Sequence, residues 1–228
     1  MITAPLNNAP SQQPGRITVQ VGSVVPLGQV LLFDLRPLSG LLPVWQAGAH
    51  VDLFLGDGLV RQYSLCGDPA RRDAYRLGVL LEPDSRGGSS TVHARVRPGA
   101  RLEIGAPRNL FALRPGTGQV VLVGGGIGVT PLIAMAHALH DQGRAFVLHY
   151  VARDPVLAPL LRQAPFASRV RVHDRGRADT PRFDPSTAMA SHAGTDGLSV
   201  YVCGPAGLME DVARAADAAG VPPARIHR

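Results

Sequence analysis

The run VLVGGGIGVTPLIAMAHAL, residues 121–139, decides how the chain is read. It opens as a continuous apolar stretch, the pattern of a strand covered on both faces of a parallel sheet. Gly124, Gly125 and Gly126 end that stretch, and Ile127, Gly128 and Val129 lead into TPLIAMAHALHDQG, which repeats apolar residues at helical spacing. Thr130 stands where a helix cap would be, with Pro131 at the first helical position. Glycines permit positive φ and close backbone approach, and a helix start offers unpaired N–H groups, so the turn suits a phosphate-bearing ligand. It departs from the G-x-G-x-x-G fingerprint, because Pro131 replaces the last glycine. The next strand ends HYVARD, with Arg153 before Asp154 and no clear acidic partner for a ribose. A tight strand–helix turn with no ligand is the other reading of this motif taken alone.

Outward from this run, the two directions differ in rhythm. Downstream, strand AFVLHYVA, a helix near PVLAPLLRQA, strands RVRVHD and LSVYVCG, and helix AGLMEDVARAADAAG alternate as in an α/β unit with a parallel sheet. Upstream, RITVQVGSVV, QVLLFDLRP, AHVDLFLG, LVRQYSLCG, YRLGVLLEP and RPGARLEIGAP are short strands separated by Gly and Pro turns, the spacing of a barrel or sandwich. The expected organisation is a leader over 1–15, an antiparallel six-stranded barrel over 16–113, and an α/β unit over 118–228. The opening MITAPLNNAPSQQPG lacks the basic region and apolar core of a secretory signal.

Composition narrows the function classes. No apolar stretch reaches the ~20 residues of a membrane span, so no membrane partner is expected. Cys66 and Cys203 are the only cysteines, too few for a disulfide framework or a four-Cys iron–sulfur cluster held by this chain alone; a cytoplasmic location is expected. The formal net charge is +6 and there is no Lys, so all 23 basic residues are Arg. Aromatic residues make up only 5% and no basic run interleaves them, which argues against nucleic acid. His137 and His140 lack partners at zinc spacing, no metal site is expected, and no nucleophile–base pair is visible.

Three further stretches carry chemistry. In RQYS, Arg61 and Tyr63 are two apart on a strand and point to the same side, where a guanidinium can fork onto phosphate and a ring can lie along a heterocycle. In EPDSRGGSSTVH, Arg86, Gly87, Gly88, Ser89 and Ser90 form a candidate anion cradle before a helix-like STVHARV. In YVCGPAGLM, Cys203 ends a buried strand at the carboxyl edge of the sheet, where ligands bind in open α/β folds. Each alone also reads as ordinary structure: a half-exposed strand, a solvated loop, a buried thiol.

Taken together and in order, RQYSL, RGGSSTVH, GGGIGVTP and CGPAGLM resemble the ferredoxin–NADP⁺ reductase-like superfamily, closest to its phthalate dioxygenase reductase and vanillate demethylase reductase branch. LEIGAPRNLF (102–111) and LHYVAR (148–153) match that branch as well, and the resemblance spans about residues 16–228. It implies a flavin-binding barrel followed by a pyridine-nucleotide unit, with FMN and NADH as cofactors and NADPH as the alternative coenzyme. By position, Arg61 would meet the FMN phosphate, with Arg86, Gly87, Gly88 and Ser89 completing the cradle. Tyr63 would lie against the isoalloxazine and Ser64 near flavin N5, with Gln62, Gly78, Val79 and Leu80 as further flavin contacts. Gly125, Gly126, Ile127 and Pro131 would serve the nicotinamide nucleotide, with Thr130 near both cofactors. Cys203, Gly204 and Pro205 would line the nicotinamide pocket, and Ser64, Thr130 and Cys203 would flank the reacting atoms. At the coenzyme's other end, Asp174 ends RVRVHD and would disfavour a 2′-phosphate, while Arg153, Arg175 and Arg177 would favour one; NADH is the expectation.

The resemblance further implies a monomeric NADH-dependent flavin oxidoreductase passing single electrons to a [2Fe–2S] ferredoxin domain or protein that feeds a terminal oxygenase. The branch carries its cluster domain after the reductase unit, and the ending PPARIHR (222–228) interrupts the pattern, so a module of a longer reductase is expected, with a natural short form as the other reading. An FAD-binding reductase of the same fold and a flavin-binding subunit without turnover are the competing readings.

Overall fold

The computed structural model describes residues 15–84 and 86–228; of the expected leader, all but Gly15 lies outside the described residues. The N-terminal half is built from β1 (Arg16–Leu27), β2 (Val30–Pro37), β3 (Ala49–Phe54), β4 (Val60–Ser64), β5 (Tyr75–Leu80) and β6 (Arg101–Gly105). These pair antiparallel in the order β4-β3-β6-β1-β2-β5, and a bridge between Leu65 and Leu77 joins the two ends into a barrel. The alternation that marked these strands is the inward set: Val19, Val21, Leu35, Val51, Leu53, Leu77 and Ile104 are almost wholly buried. A seventh strand, β7 (Arg108–Asn109), adds to the expected six and pairs with β3. The helix α1 (Gly88–Arg95) crosses from β5 to β6.

The C-terminal half is a parallel sheet in the order β10-β9-β8-β11-β12. Its strands are β8 (Val120–Gly125), β9 (Phe146–Ala152), β10 (Val170–Asp174), β11 (Ser199–Cys203) and β12 (Ile226–His227). Between them run α2 (Val129–Asp141), α3 (Ala158–Arg162), α4 (Pro185–Ala190) and α5 (Ala206–Ala218). All six residues of β8 are buried, as its unbroken apolar run requires. Val120 and Leu122 join the core shared with α2 and the barrel, while Val121 and Val123 face Val212 and Ala216 of α5. Helix α2 lies between sheet and barrel, and nine of its 13 residues are buried. Tyr201 ties the linker to the sheet: its hydroxyl accepts the Arg114 N–H at 2.8 Å and its ring meets Phe111 edge-on. No helix among the described residues is long and apolar enough to cross a membrane.

One local expectation is corrected. A 3₁₀ turn, Gly126–Gly128, precedes α2 and brings its start forward to Val129, so Gly128 takes the cap position and Thr130 lies inside the first turn. The Thr130 hydroxyl donates back to the Ile127 carbonyl at 2.9 Å instead of accepting from the helix. Pro131 still falls in the first turn, where its missing N–H leaves no bond unmade.

Candidate functional site

The two halves meet around a cleft of about 420 Å³. Strand β4 supplies Arg61, Gln62, Tyr63 and Ser64; β5 supplies Gly78, Val79 and Leu80; Arg86 stands before α1 and Ser89 in its first turn. The opposite wall is Ile127, Gly128, Thr130, Pro131 and Cys203 of the α/β half. Residues far apart in sequence are therefore neighbours, and the contact between halves is tight: a Cβ at Gly78 would stand 3.2 Å from the Thr130 methyl.

At one end of the cleft the chain prepares an anion site. Gly87 caps α1 at φ 84° with no side-chain acceptor, so the first N–H groups of the eight-residue helix lack a side-chain partner. The Arg61 guanidinium is held beside them, Nη1 donating to the Val60 carbonyl at 2.8 Å and Nη2 to the Arg86 carbonyl at 2.9 Å. Gly88 makes room for it, since a Cβ there would lie 2.7 Å from Arg61 Cγ and Nε. Ser89 Oγ accepts the Glu82 N–H at 3.1 Å, which leaves its own proton to donate. His93 Nε2 and the Val79 carbonyl, 2.9 Å apart, pin α1 to β5. This cradle suits a phosphate monoester. Glu82 and Asp84 also line the cleft, and no sequence pattern pointed to them.

In the middle of the cleft, Tyr63 is half-buried, and burial pushes its hydroxyl above the ordinary phenol range. Cys203 closes the far wall, and burial raises its thiol, which favours the neutral SH over a nucleophilic thiolate. A second recess of about 310 Å³ shares Gln62, Ser64, Pro131 and Cys203 and adds His50, Leu110 and Phe111. His50 Nε2 is buried there with no hydrogen-bond partner, and burial depresses the imidazole.

Beyond Cys203 lies a third cavity, about 680 Å³, at the carboxyl ends of the parallel strands. Gly125, Gly126, Arg153 and Pro205 line it, together with Arg175, Arg182, Phe183, Leu208 and Asp211. Gly204 packs between: its Cβ would meet Gly125 Cα at 2.8 Å. Asp174 is not brought into this wall. Its carboxylate accepts the Gly176 N–H at 2.9 Å, closing the turn after β10. Behind Phe183, the rings of His149 and His173 stack 5.3 Å apart, with Nδ1 and Nε2 at 3.0 Å. Burial, then the neighbouring His173, His192 and Arg171, pushes His149 down to about 4.

The glycines between these cavities are mostly answers to protein neighbours. A Cβ at Gly124 would lie 2.7 Å from Val129 Cα, at Gly125 2.6 Å from Leu208 Cδ2, and at Gly128 2.5 Å from the Cys203 carbonyl. They let the β8–α2 turn press against the β11–α5 turn, which brings Thr130 and Cys203 into one wall.

Comparison with known proteins fits this arrangement. No family model matches the chain. A vanillate O-demethylase oxidoreductase of Pseudomonas sp. strain HR199 is 42% identical over 196 residues, covering 85% of this chain and 61% of that protein. The beta subunit of a heme-dependent oxidative N-demethylase of Ectopseudomonas mendocina is 34% identical over 92% of this chain and 68% of its own length. A solved phthalate dioxygenase reductase, described as modular for electron transfer from pyridine nucleotides to [2Fe–2S], superposes with a TM-score of 0.85 at 30% identity, over 93% of this chain and 67% of that one. The chain belongs to the phthalate dioxygenase reductase branch of the ferredoxin–NADP⁺ reductase-like oxidoreductases. It spans about three fifths of the length of the curated vanillate demethylase reductases it matches.

Proposed function

We propose that this chain is the flavin- and nicotinamide-binding part of an electron-transfer reductase, with FMN in the 420 Å³ cleft and a reduced nicotinamide adenine dinucleotide in the adjoining cavity. When bound, FMN would take a hydride from the nicotinamide ring and release electrons singly to a [2Fe–2S] domain or protein serving a terminal oxygenase. The observation that carries the reading is the cleft itself: a phosphate cradle, a tyrosine face, and the Thr130–Cys203 wall of the other half enclose one space.

The residues present fit that pair of ligands. Arg61, fixed by two backbone carbonyls, and the open start of α1 would hold a terminal phosphate without reorganising. The preference for FMN over FAD rests on the resemblance to the branch, and Glu82 and Asp84 line the same cleft as the cradle. Tyr63 would cover the flavin ring, and Ser64 would hydrogen-bond near its N5. Thr130, whose hydroxyl proton is spent on Ile127, would offer that oxygen as an acceptor and its methyl as a wall. Cys203 would face the nicotinamide as a compact neutral thiol, and Gly125, Gly126 and the start of α5 would take the coenzyme diphosphate. Hydride transfer asks the protein for alignment and exclusion of water, not for an acid–base pair. The module is proposed to act as a monomer in the cytoplasm, docking its cluster partner transiently.

Purified protein decides the reading. Flavin released by denaturation is expected to run as FMN, and anaerobic NADH or NADPH is expected to bleach the band near 450 nm (roughly where any oxidised flavin absorbs). Recovery of FAD overturns the flavin assignment. A bound flavin that neither coenzyme bleaches overturns the catalytic one and favours a binding subunit.

A further inference from the structure

We infer that a fourth cavity, about 420 Å³ between the barrel and the α/β half, is a binding site for a small zwitterion: a molecule with an ammonium, a carboxylate and an apolar body, such as a free amino acid with a large apolar side chain. The cavity shares no lining residue with the flavin cleft or with the 680 Å³ cavity, so the inference stands apart from the cofactor reading. Its barrel wall provides an anion site. Arg76 of β5 spends Nε and Nη2 on the buried carboxylate of Asp34, at 2.8 and 3.0 Å, and Ser23 completes that carboxylate at 2.8 Å. Arg71 spends Nε and Nη2 on Asp73, at 3.1 and 2.6 Å. Both arginines line the cavity, and Nη1 of each makes no hydrogen bond among the described residues. Two guanidiniums fixed in this way, each with a free donor, suit a carboxylate.

The opposite charge comes from both walls. Asp141 ends α2 and has no hydrogen-bond or ion-pair partner among the described residues, and its charge adds to the negative end of the helix dipole. Asp68, on the barrel side, accepts the Ala70 N–H at 2.9 Å and has no cationic partner among those residues. Both carboxylates bear on His137, which stands edge-on to Phe166 with ring centroids 4.9 Å apart; they oppose the burial that lowers its imidazole. The neutral ring adds an acceptor to the two carboxylates. Ile133, Leu160, Leu161 and Ala164 complete the lining with apolar surface. A lone cation would leave the guanidiniums unmet, and a lone anion would leave Asp68 and Asp141 unmet. A molecule that carries both charges answers every polar group of the cavity, and its apolar body covers the rest.

Titration of the full chain with L-phenylalanine, phenethylamine and 3-phenylpropionate, followed by the NMR signals of each ligand, removes one charge at a time from a constant ring. Phenylalanine is expected to bind about tenfold tighter, or more, than either analogue. Equal affinity for the amine would make the carboxylate superfluous, and equal affinity for the acid would make the ammonium so; either overturns the zwitterion, and failure of phenylalanine to bind overturns the site. Asp141→Asn is expected to erase the margin over phenylpropionate and Arg71→Gln to narrow the margin over phenethylamine. Arg76 is left in place, because its loss would strand the buried Asp34 charge. Asp179→Asn, outside the cavity, is expected to change neither margin. Wild-type margins in both cavity variants would place the ligand elsewhere and overturn the assignment. Saturating FMN is expected to leave phenylalanine bound; displacement by FMN would move the amino acid into the flavin cleft and overturn the separate site.

Discussion

Two glycine-rich turns open helices in this chain, and they use the absent side chains for different neighbours. Before α1, Gly87 turns the chain through φ 84° and Gly88 makes space for a side chain, Arg61, at an open mouth of the cleft. Before α2, Gly124, Gly125 and Gly128 make space for the protein's own turns, down to 2.5 Å from the Cys203 carbonyl. The richer run, which looks the more like a phosphate loop, is chiefly a packing device. The poorer one borders the cradle. A glycine reports a close approach; only the fold says to what.

The largest effect expected from breaking this contrast is at Gly128. Its neighbour is backbone and cannot swing away, so Gly128→Ala is expected to cost about 3 kcal/mol of stability, read as a drop in denaturation midpoint at constant slope. A cost no larger than that of Ala at an open glycine would refute the packing role. On the other turn the test is affinity. Arg61→Ala removes a guanidinium from the cradle without touching the core and is expected to weaken FMN by about 1.5–3 kcal/mol in a flavin titration. Unchanged flavin affinity would mean that the α1 turn, too, is only structural.

How much was legible follows from the length of each signal. The six barrel strands were readable because Val19 and Val21, or Val51 and Leu53, alternate over several residues, and β8 because its apolar run is unbroken. The cleft residues of β4 and the α1 turn were readable because they sit in short motifs that stay contiguous in sequence. Strand β7 has two residues and α4 six, too few for a period to register. The Thr130 cap failed because a 3₁₀ turn, invisible in composition, advanced the helix by a fraction of a turn. Arg182 and Phe183 were missed because they lie in a loop, and only the return of the chain past β10 carries them to the 680 Å³ cavity. Asp174 was read from its place at a strand end, but strand position does not reveal that its carboxylate closes its own turn.

Acid separates the two halves next. His149 and His173 stack in the α/β half, and burial holds both below their ordinary value, His149 at about 4 against 6.5 when unfolded. Between those values the unfolded chain binds the proton first, so stability is full above pH 6.5 and falls as pH drops toward 4. The loss near pH 4.5 is on the order of 2 kcal/mol from His149. Thermal melts at pH 7.5 and 4.5 are expected to show it, and His149→Phe, which keeps a ring in the stack but cannot titrate, is expected to reduce the drop. An identical drop in the variant would place the acid sensitivity elsewhere. Because Phe183 rests on both imidazoles and lines the proposed coenzyme cavity, coenzyme affinity is expected to weaken over the same interval.

The smallest expected effect sharpens the contrast inside the α2 run itself. Gly126 differs from its three companions: it holds φ 55°, nothing lies within 4 Å of where a Cβ would be, and it borders the proposed coenzyme cavity. Gly126→Ala therefore meets no clash and is expected to cost only the left-handed backbone penalty of an L side chain, about 1 kcal/mol. The added methyl would project into open space. A modest loss of stability with a rise in the coenzyme KM, against a large loss of stability for Gly128→Ala, would assign the two roles glycine by glycine. Equal destabilisation by both, with the KM unmoved, would return the whole run to packing alone.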